Sequence, residues 1–166
     1  GQANQSIAQN SISQTLTNLT NASETVIYTV TPLANGCTGN NFTLSVVVAP
    51  KPIIANISAA ICSHETLQVT PTNGTNIVPA NTEYTWTILT DNNSITGQAG
   101  QNVEQSSISQ HLINTSSSVQ TMTYTVTPNA GSCSGSSFVL LVTKQFLNSC
   151  ISLCKNMFIG INLLLS

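Results

Sequence analysis

Charged side chains are scarce in this sequence, and their scarcity removes several classes of partner. The 166 residues include three lysines, no arginine and five acidic residues, which gives a formal net charge of −2. A nucleic-acid-binding protein needs a basic stripe to neutralise phosphates, and anionic membrane surfaces attract polybasic segments. We therefore expect no nucleic-acid partner and no electrostatic attachment to a membrane.

Long apolar runs are also missing. A membrane-spanning helix needs about 20 consecutive, mostly apolar residues. The most apolar stretch, residues 144–166, is interrupted by Lys155 and by Asn148, Asn156 and Asn162. The sequence therefore predicts no membrane span.

Polar but uncharged side chains dominate instead. Ser, Thr and Asn account for 63 of the 166 residues. Disordered chains combine such polarity with high net charge and few apolar residues, whereas here Val, Ile, Leu and Tyr recur at regular spacing and charge is low. The composition favours a folded domain with a neutral surface rich in hydroxyl and amide groups.

A twelve-residue phrase occurs twice, as "YTVTPLANGCTG" at residues 28–39 and as "YTVTPNAGSCSG" at residues 124–135. Shifting the chain by 96 positions aligns residues 1–46 with residues 97–142 without a gap, and 23 of the 46 pairs are identical. Such self-similarity indicates a tandem repeat. We predict the C-terminal part of one repeat at residues 1–49, a complete repeat at residues 50–143 and a non-repeat tail at residues 144–166.

Strand patterns predominate within the repeats. Several segments alternate β-branched or aromatic residues with polar ones and end in turn residues, and none reads as a convincing helix. About seven strands at ten-residue spacing predict an all-β, immunoglobulin-like β-sandwich. "APKP" at residues 49–52 reads as a short, stiff linker between the units. The predicted strands are residues 25–32, 42–48, 52–58, 66–71, 82–89, 107–114, 121–128 and 138–143.

The alternation within these strands also predicts the core of the complete repeat. Apolar positions that share one face of a strand should pack between the two sheets. The predicted core residues are Ile54, Leu67, Val69, Tyr84, Trp86, Ile88, Ile108, Leu112, Tyr124, Val126, Phe138 and Leu140.

Cysteine placement points to an oxidising, extracellular setting. Cys37 and Cys133 hold the same position in the two aligned segments, and Cys62 comes early in the complete repeat. We predict a Cys62–Cys133 disulfide that closes a loop of about 70 residues and contributes about 4 kcal/mol on the chain-entropy estimate. A Cys37–Cys62 link across the linker and free thiols remain alternatives, and the state of Cys150 and Cys154 in the tail is open.

Residues for metal or covalent chemistry are too few and too scattered to predict an enzyme. His64 and His111 are the only histidines, whereas a zinc site needs three or four Cys and His ligands. Asp91 is the only aspartate, so no calcium loop of the "DxDxDG" kind exists. "GSCSG" around Cys133 superficially resembles a nucleophile elbow, but that motif needs a helix after the turn. We expect no catalytic residue, metal or cofactor.

Several strand signatures carry a family resemblance. "ICSHETLQVTP", "VPANTEYTWTI", "MTYTVTP" and "CSGSSFVLLVT" resemble, in this order, the PKD-like repeats of very large surface proteins of Bacteroidota, and the likeness covers residues 1–143. PKD domains proper carry "WDFGDG" after the third strand, where this chain has "YTWTILTDNNSITG", so it resembles the variant family. The resemblance implies an exported, extracellular β-sandwich repeat used in adhesion, gliding or surface-layer construction.

These observations together predict a non-catalytic spacer repeat at the bacterial cell surface. Its expected partners are neighbouring repeats of the same chain, with surface glycans or other cell-surface proteins as further candidates. The alternative is a glycan-binding β-sandwich module in which Trp86 and Tyr84 form an exposed stacking surface. The tail predicts either a read-through or frame-shifted end, or a genuine capping or anchoring segment.

Overall fold

The computed structural model describes residues 3–146, and this part of the chain contains strands and no helix. It therefore holds no helix of the length and apolarity that a membrane crossing requires. The fold is an all-β sandwich of the immunoglobulin-like kind, as predicted. The strands are β1 (Glu24–Val30), β2 (Leu33–Ala34), β3 (Cys37–Thr38), β4 (Phe42–Val48), β5 (Ile57–Ile61), β6 (Thr66–Val69), β7 (Thr82–Thr90), β8 (Ile95–Thr96), β9 (Gln101–Gln105), β10 (Ile108–His111), β11 (Ile113–Asn114), β12 (Gln120–Ala130), β13 (Cys133–Ser134) and β14 (Phe138–Lys144).

The complete repeat is built on one large sheet with two small strand pairs packed against it. The sheet has the order β5-β14-β12-β7-β9, and β13 pairs with the far end of β12. All its pairs are antiparallel except β5 with β14, which run parallel. The small pairs β6–β10 and β8–β11 contribute Leu67, Ile108 and Ile95 to the core cluster, which closes the sandwich.

The core follows the alternation of the strands. In β12 and β14 every second side chain is buried, because successive side chains of a strand point to opposite faces. Ten of the twelve predicted core residues are buried, and Val69 and Ile88 are partly buried. Three further buried residues were not predicted, namely Ile95, Met122 and Val142. Burying one such aliphatic side chain stabilises the fold by about 1.5 to 3 kcal/mol.

The first repeat contributes a hairpin that matches the β12–β14 pair of the large sheet. Its strands β1 and β4 pair from Glu24↔Val48 to Val30↔Phe42. Adding 96 to each number gives the register of β12 with β14, from Gln120↔Lys144 to Val126↔Phe138. The sequence repeat is therefore a structural repeat at the level of single residue pairs.

Some predicted strand boundaries were wrong. The opening strand was predicted at residues 52–58, but Ile53 forms only an isolated bridge with Ile77, and β5 begins at Ile57, where pairing with β14 starts. The strand predicted to end at Pro128 continues to Ala130, because Pro128 pairs with Tyr84 and its carbonyl accepts a hydrogen bond from Gly135 N. A proline is tolerated where its missing N–H is not needed by the ladder.

The linker between the two units packs against the complete repeat. Pro50 and Pro52 are buried, whereas Lys51 between them is exposed. A Cβ on Gly135 would lie 2.5 Å from the Pro52 carbonyl oxygen and 2.8 Å from the Pro128 ring, so only glycine fits at this contact. The predictions for the end of the tail, including Cys150 and Cys154, fall outside the described residues.

Candidate functional site

The predicted disulfide between Cys62 and Cys133 is wrong. Cys133 is a free, half-buried cysteine, and Cys37 is free and exposed. The alternative Cys37–Cys62 link is excluded for the same reason. The cysteine that recurs in the hairpins of the two units, Cys37 and Cys133, is therefore a free thiol in both.

Strand topology explains why the predicted bridge cannot form. Cys62 directly follows β5, whose last residue Ile61 lies opposite Lys144 at the C-terminal end of β14. Cys133 lies in the hairpin that precedes β14, beyond Phe138 at the opposite end of that strand. The seven residues of β14 extend about 20 Å, whereas bridged cysteines have Cα atoms within about 7 Å. The sequence could not show that β5 runs parallel to β14, and this direction places the two cysteines at opposite ends of the sheet.

The segment around Cys133 is a hairpin turn and not a nucleophile elbow. Ala130 pairs with Cys133 across the turn formed by Gly131 and Ser132, and Gly131 has a φ of 58°. The chain then continues into β14, which is a strand, whereas the elbow requires a helix after the nucleophile. The Cys133 thiol therefore does not lie in a nucleophile elbow.

The proposed aromatic stacking surface is also wrong, because both aromatic rings belong to the core. Trp86 is 3% exposed and Tyr84 is 1% exposed. The Trp86 indole Nε1 donates a hydrogen bond to the Ala99 carbonyl at 3.1 Å, which fixes the ring inside the sandwich. Burial raises the pKa of Tyr84, as expected for a phenol removed from water. Neither ring can stack on a sugar in this fold.

The outer face of the large sheet carries a shallow hollow of about 510 Å³ beside Trp86. Two threonines of β7, Thr85 and Thr87, lie opposite Thr127 and Thr125 of β12 and line it. The lining offers hydroxyl groups and, from the start of β9, amide groups. This surface can hydrogen-bond to water or to a polar ligand, but it lacks the exposed aromatic ring on which the glycan hypothesis depended.

Asn18 and Asn114 form the same bridge in the two units. The Nδ2 atom of Asn114 donates to the Ser118 carbonyl at 2.7 Å and to the Lys144 carbonyl at 3.1 Å. The Nδ2 atom of Asn18 donates to the equivalent carbonyls of Ala22 at 2.7 Å and Val48 at 2.9 Å. Each asparagine thus ties the loop before the hairpin to the end of its last strand. A buried amide with this many partners fixes one geometry of the chain.

The Asn114 carboxamide also organises its own loop. Its Oδ1 atom accepts hydrogen bonds from the backbone N and the Oγ of Ser116, at 2.9 and 2.8 Å. Its backbone N–H donates to the buried Ser63 hydroxyl at 3.0 Å, which connects this loop to the loop after β5. Neither asparagine was predicted from the sequence to have a structural role. The available sequence signal was that Asn18 and Asn114 occupy the same position in the two aligned segments.

Lys144 is a buried lysine at the end of β14. Its side chain is fully buried, and Nζ donates a hydrogen bond to the Glu65 backbone carbonyl at 2.8 Å. Burial lowers the pKa of Lys144 to about 8, and the Glu65 carboxylate opposes this change to a smaller extent. The equivalent residue of the first unit is Val48, so this lysine distinguishes the second unit from the first.

The two histidines are not brought together by the fold. His64 lies in the turn between β5 and β6 with a φ of 66°, and His111 ends β10. No group of three or more His, Cys, Asp or Glu side chains that could hold a metal ion occurs within residues 3–146. Among the described residues, the features that the two units share are the hairpin register and the asparagine hydrogen bonds.

Comparison with known proteins gives one informative match. The family model described as "PKD-like domain" matches residues 1–52 and 59–146 of this chain. No curated protein matches it. Among solved structures, the chain is similar to the 2,6-sialyltransferase of Photobacterium sp. JT-ISH-224, crystallised with CMP and lactose, at 20% identity and a TM-score of 0.36. This similarity covers 57% of the present chain and 18% of the enzyme, and it supports no inference about function.

Proposed function

Since this chain belongs to the PKD-like domain family, we propose that it is a non-catalytic spacer module of an extracellular tandem array that carries mechanical load. Neighbouring repeats of the same chain are its principal partners. The resemblance to large surface proteins of Bacteroidota suggests the bacterial cell surface as the location, where such an array would support adhesion or gliding.

The relative direction of the first and last strands of the repeat carries this proposal. β5 is the first strand of the complete repeat and β14 is the last, and they are adjacent and parallel from Leu140↔Ile57 to Lys144↔Ile61. Tension applied to the two ends of the repeat pulls parallel neighbours in opposite directions. Their hydrogen bonds are then loaded together in shear, whereas an antiparallel terminal pair would open one bond at a time.

The linker supports the same function. Pro50 and Pro52 are both buried, and Pro52 seats the linker on the sandwich, because its carbonyl lies against Gly135 in the hairpin before β14. Prolines also restrict the backbone directly. A seated linker transmits force into the terminal strands and limits the swing between repeats.

The uncharged surface is consistent with a spacer. Outward-facing threonines such as Thr85, Thr87 and Thr125 cover the large sheet, and the whole chain carries only eight charged side chains. Such a surface is well hydrated and gives weak electrostatic attraction to other molecules. The burial of Trp86 and Tyr84 leaves no specific observation in favour of the glycan-binding alternative.

Pulling single molecules by their two ends tests the proposal. In a reducing buffer, which opens the disulfide that Cys62 forms, we expect one force peak from the complete repeat, followed by a length gain of about 300 Å, because about 88 residues become extended. Two proline variants, Ala59→Pro and Ala60→Pro, supply a matched pair. Successive N–H groups of a strand point to opposite sides, so one variant removes an N–H directed at β14 and the other does not. We expect a reduced peak force in one variant alone. Equal peak forces in wild type and both variants would contradict the load-bearing role of the β5–β14 pair.

A further inference from the structure

Cys62 differs from the other two cysteines of residues 3–146 in its covalent state. It is disulfide-bonded, whereas Cys37 and Cys133 are free thiols. The chain has five cysteines, and the two that remain are Cys150 and Cys154. Both come after β14 in the sequence. These states leave the segment after β14 as the source of a partner within the chain.

The strand pairing brings Cys62 and the start of that segment to the same end of the sheet. β5 and β14 run parallel, and their paired residues end with Lys144↔Ile61. The Gln145 backbone N–H then donates a hydrogen bond to the Ile61 carbonyl at 2.9 Å, so the two segments still lie side by side where β14 ends. Cys62 is the next residue after Ile61. The chain therefore leaves the sandwich directly beside Cys62.

Both remaining cysteines are within reach of Cys62 along the chain. Cys150 is five residues after Gln145, and Cys154 is nine residues after it. An extended chain spans up to about 3.3 to 3.6 Å per residue, whereas the Cα atoms of bridged cysteines lie within about 7 Å of each other. Either spacing is long enough for the chain to turn back to Cys62 while Gln145 keeps its hydrogen bond.

The turn after β5 holds Cys62 in a fixed position. Its backbone N–H donates to Oε2 of Glu65 at 3.0 Å, and the Glu65 N–H donates back to the Cys62 carbonyl at 3.2 Å. The Glu65 carbonyl in turn accepts the hydrogen bond from Lys144 Nζ at 2.8 Å. The turn is thus tied to the last residue of β14, which keeps the Cys62 thiol at the point where the tail begins.

We propose that Cys62 is bridged to a cysteine of the tail, Cys150 or Cys154, and that this bridge makes the extensibility of the repeat depend on its redox state. Formation of the bond removes two protons and two electrons from two thiols. A disulfide oxidant such as oxidised glutathione accepts them and becomes two thiols. Strands β6 to β14 then lie within one covalently closed loop.

The closed loop changes the path of a pulling force, an inference that rests on the proposed load-bearing function. Once β5 separates from β14, tension passes from Cys62 through the bridge into the tail, and strands β6 to β14 carry none of it. In the reduced protein the same tension extends the whole repeat. The bridge therefore limits the extension of the repeat in an oxidising, extracellular setting.

The positions of the lysines allow a direct test of the bond by peptide mapping. The protein is oxidised with glutathione, its free thiols are blocked in denaturant, and trypsin is added without a reductant. Trypsin cleaves after Lys144 and Lys155 but not after Lys51, which precedes a proline. Residues 145–155, which contain both tail cysteines, then stay attached to residues 1–144 only through the bridge. We expect mass spectrometry to detect their release only after reduction.

Matched cysteine variants assign the linkage. Cys62→Ser should release residues 145–155 without a reductant, whereas Cys133→Ser should keep them attached, because that thiol is free. Cys150→Ser and Cys154→Ser then identify the partner in the tail.

Single-molecule pulling measures the mechanical consequence. In oxidised wild type, the complete repeat should extend by less than about 50 Å, because only residues 50–62 lie outside the closed loop. Reduction should restore the gain of about 300 Å. Cys62→Ser should give this full gain in both buffers.

Four results would overturn the proposal. Residues 145–155 could be released from oxidised wild type without a reductant, or they could stay attached in Cys62→Ser. A disulfide-linked dimer that is lost in Cys62→Ser would identify a second copy of the chain as the partner. A full length gain in bridged wild type would refute the redox dependence. Because peptide mapping involves no force, absence of a force peak from the reduced repeat would contradict the load-bearing function and leave the assignment of the bridge standing.

Discussion

Replacing Lys144 with methionine should remove a pH dependence from the stability of the sandwich. The lysine is fully buried and its pKa falls from 10.5 to about 8 in the folded protein. Between these two values the unfolded chain binds more protons than the folded one. Stability therefore rises with pH across this window, and below pH 8 the folded state bears the full cost of the buried charge.

The size of the effect follows from the shift in pKa. One pH unit corresponds to about 1.4 kcal/mol, so the cost of the buried ammonium group near pH 7 is about 3 kcal/mol. About 2 kcal/mol of this cost should disappear between pH 7 and pH 9.5. The range stops there because burial raises the pKa of Tyr124 to about 12, and such a group reduces stability above the ordinary phenol pKa near 10.

Methionine fits the volume of the lysine stem but removes the donor to the Glu65 carbonyl. Loss of that hydrogen bond costs about 1 to 3 kcal/mol and offsets the relief from the buried charge. The stability of Lys144→Met at a single pH is thus a poor measure. The slope of stability against pH is the diagnostic quantity.

Urea unfolding followed by Trp86 fluorescence measures this slope, because the single tryptophan lies in the core of the complete repeat. Wild type should gain about 2 kcal/mol from pH 7 to pH 9.5, and Lys144→Met should gain none of that increment. The exposed Lys51 supplies a matched control, and Lys51→Met should keep the wild-type slope. Identical slopes in wild type and Lys144→Met would refute the reasoning.

Three further predictions concern contacts that the fold creates. Gly135→Ala should destabilise the sandwich by about 1 to 3 kcal/mol in urea unfolding, since the new methyl group meets the linker carbonyl at 2.5 Å; an unchanged midpoint would mean that the linker is not seated as described. Asn114→Ala should lower the free energy of unfolding by about 2 to 4 kcal/mol through lost buried hydrogen bonds, whereas Asn18→Ala, which removes the equivalent bonds of the first unit, should leave the Trp86 transition unchanged. A thiol reagent should modify exposed Cys37 quickly and half-buried Cys133 slowly in the native protein, and both in urea without a reductant; a Cys133 that stays unreactive in urea would restore the disulfide prediction.

Local pattern determined the strands and most of the core. The alternation of "TMTYTVTP" and "FVLLVT" predicted which side chains of β12 and β14 face inward, because the side-chain period of a strand is two residues. Tyr124, Val126 and Phe138 are buried accordingly. The aligned phrases also predicted equivalent strands in the two units, at residues 25–32 and 42–48 and at residues 121–128 and 138–143, and the two observed registers agree at every pair.

The site predictions failed where they depended on how distant parts of the chain are placed relative to each other. The Cys62–Cys133 bridge rested on chain position, whereas the distance between two sulfur atoms depends on the relative direction of β5 and β14. For Trp86 the predicted core position is confirmed, and only the alternative role as an exposed stacking ring failed. Lys144 looked like the start of the tail, yet it completes β14 with its side chain buried.

The sequence by itself determined the repeat, the all-β class and the inward face of each long strand, because these follow from residue period and from local propensity. The tertiary structure alone decided which strands pair, in which direction, and whether a given apolar face is covered. The segment "SISQ", at residues 11–14 and 107–110, shows the difference most directly, since three of its four residues lie in β10 in the second unit, whereas the identical segment of the first unit forms no strand. Backbone hydrogen bonds of a strand are made with a neighbour, so strand formation depends on residues far away in the chain.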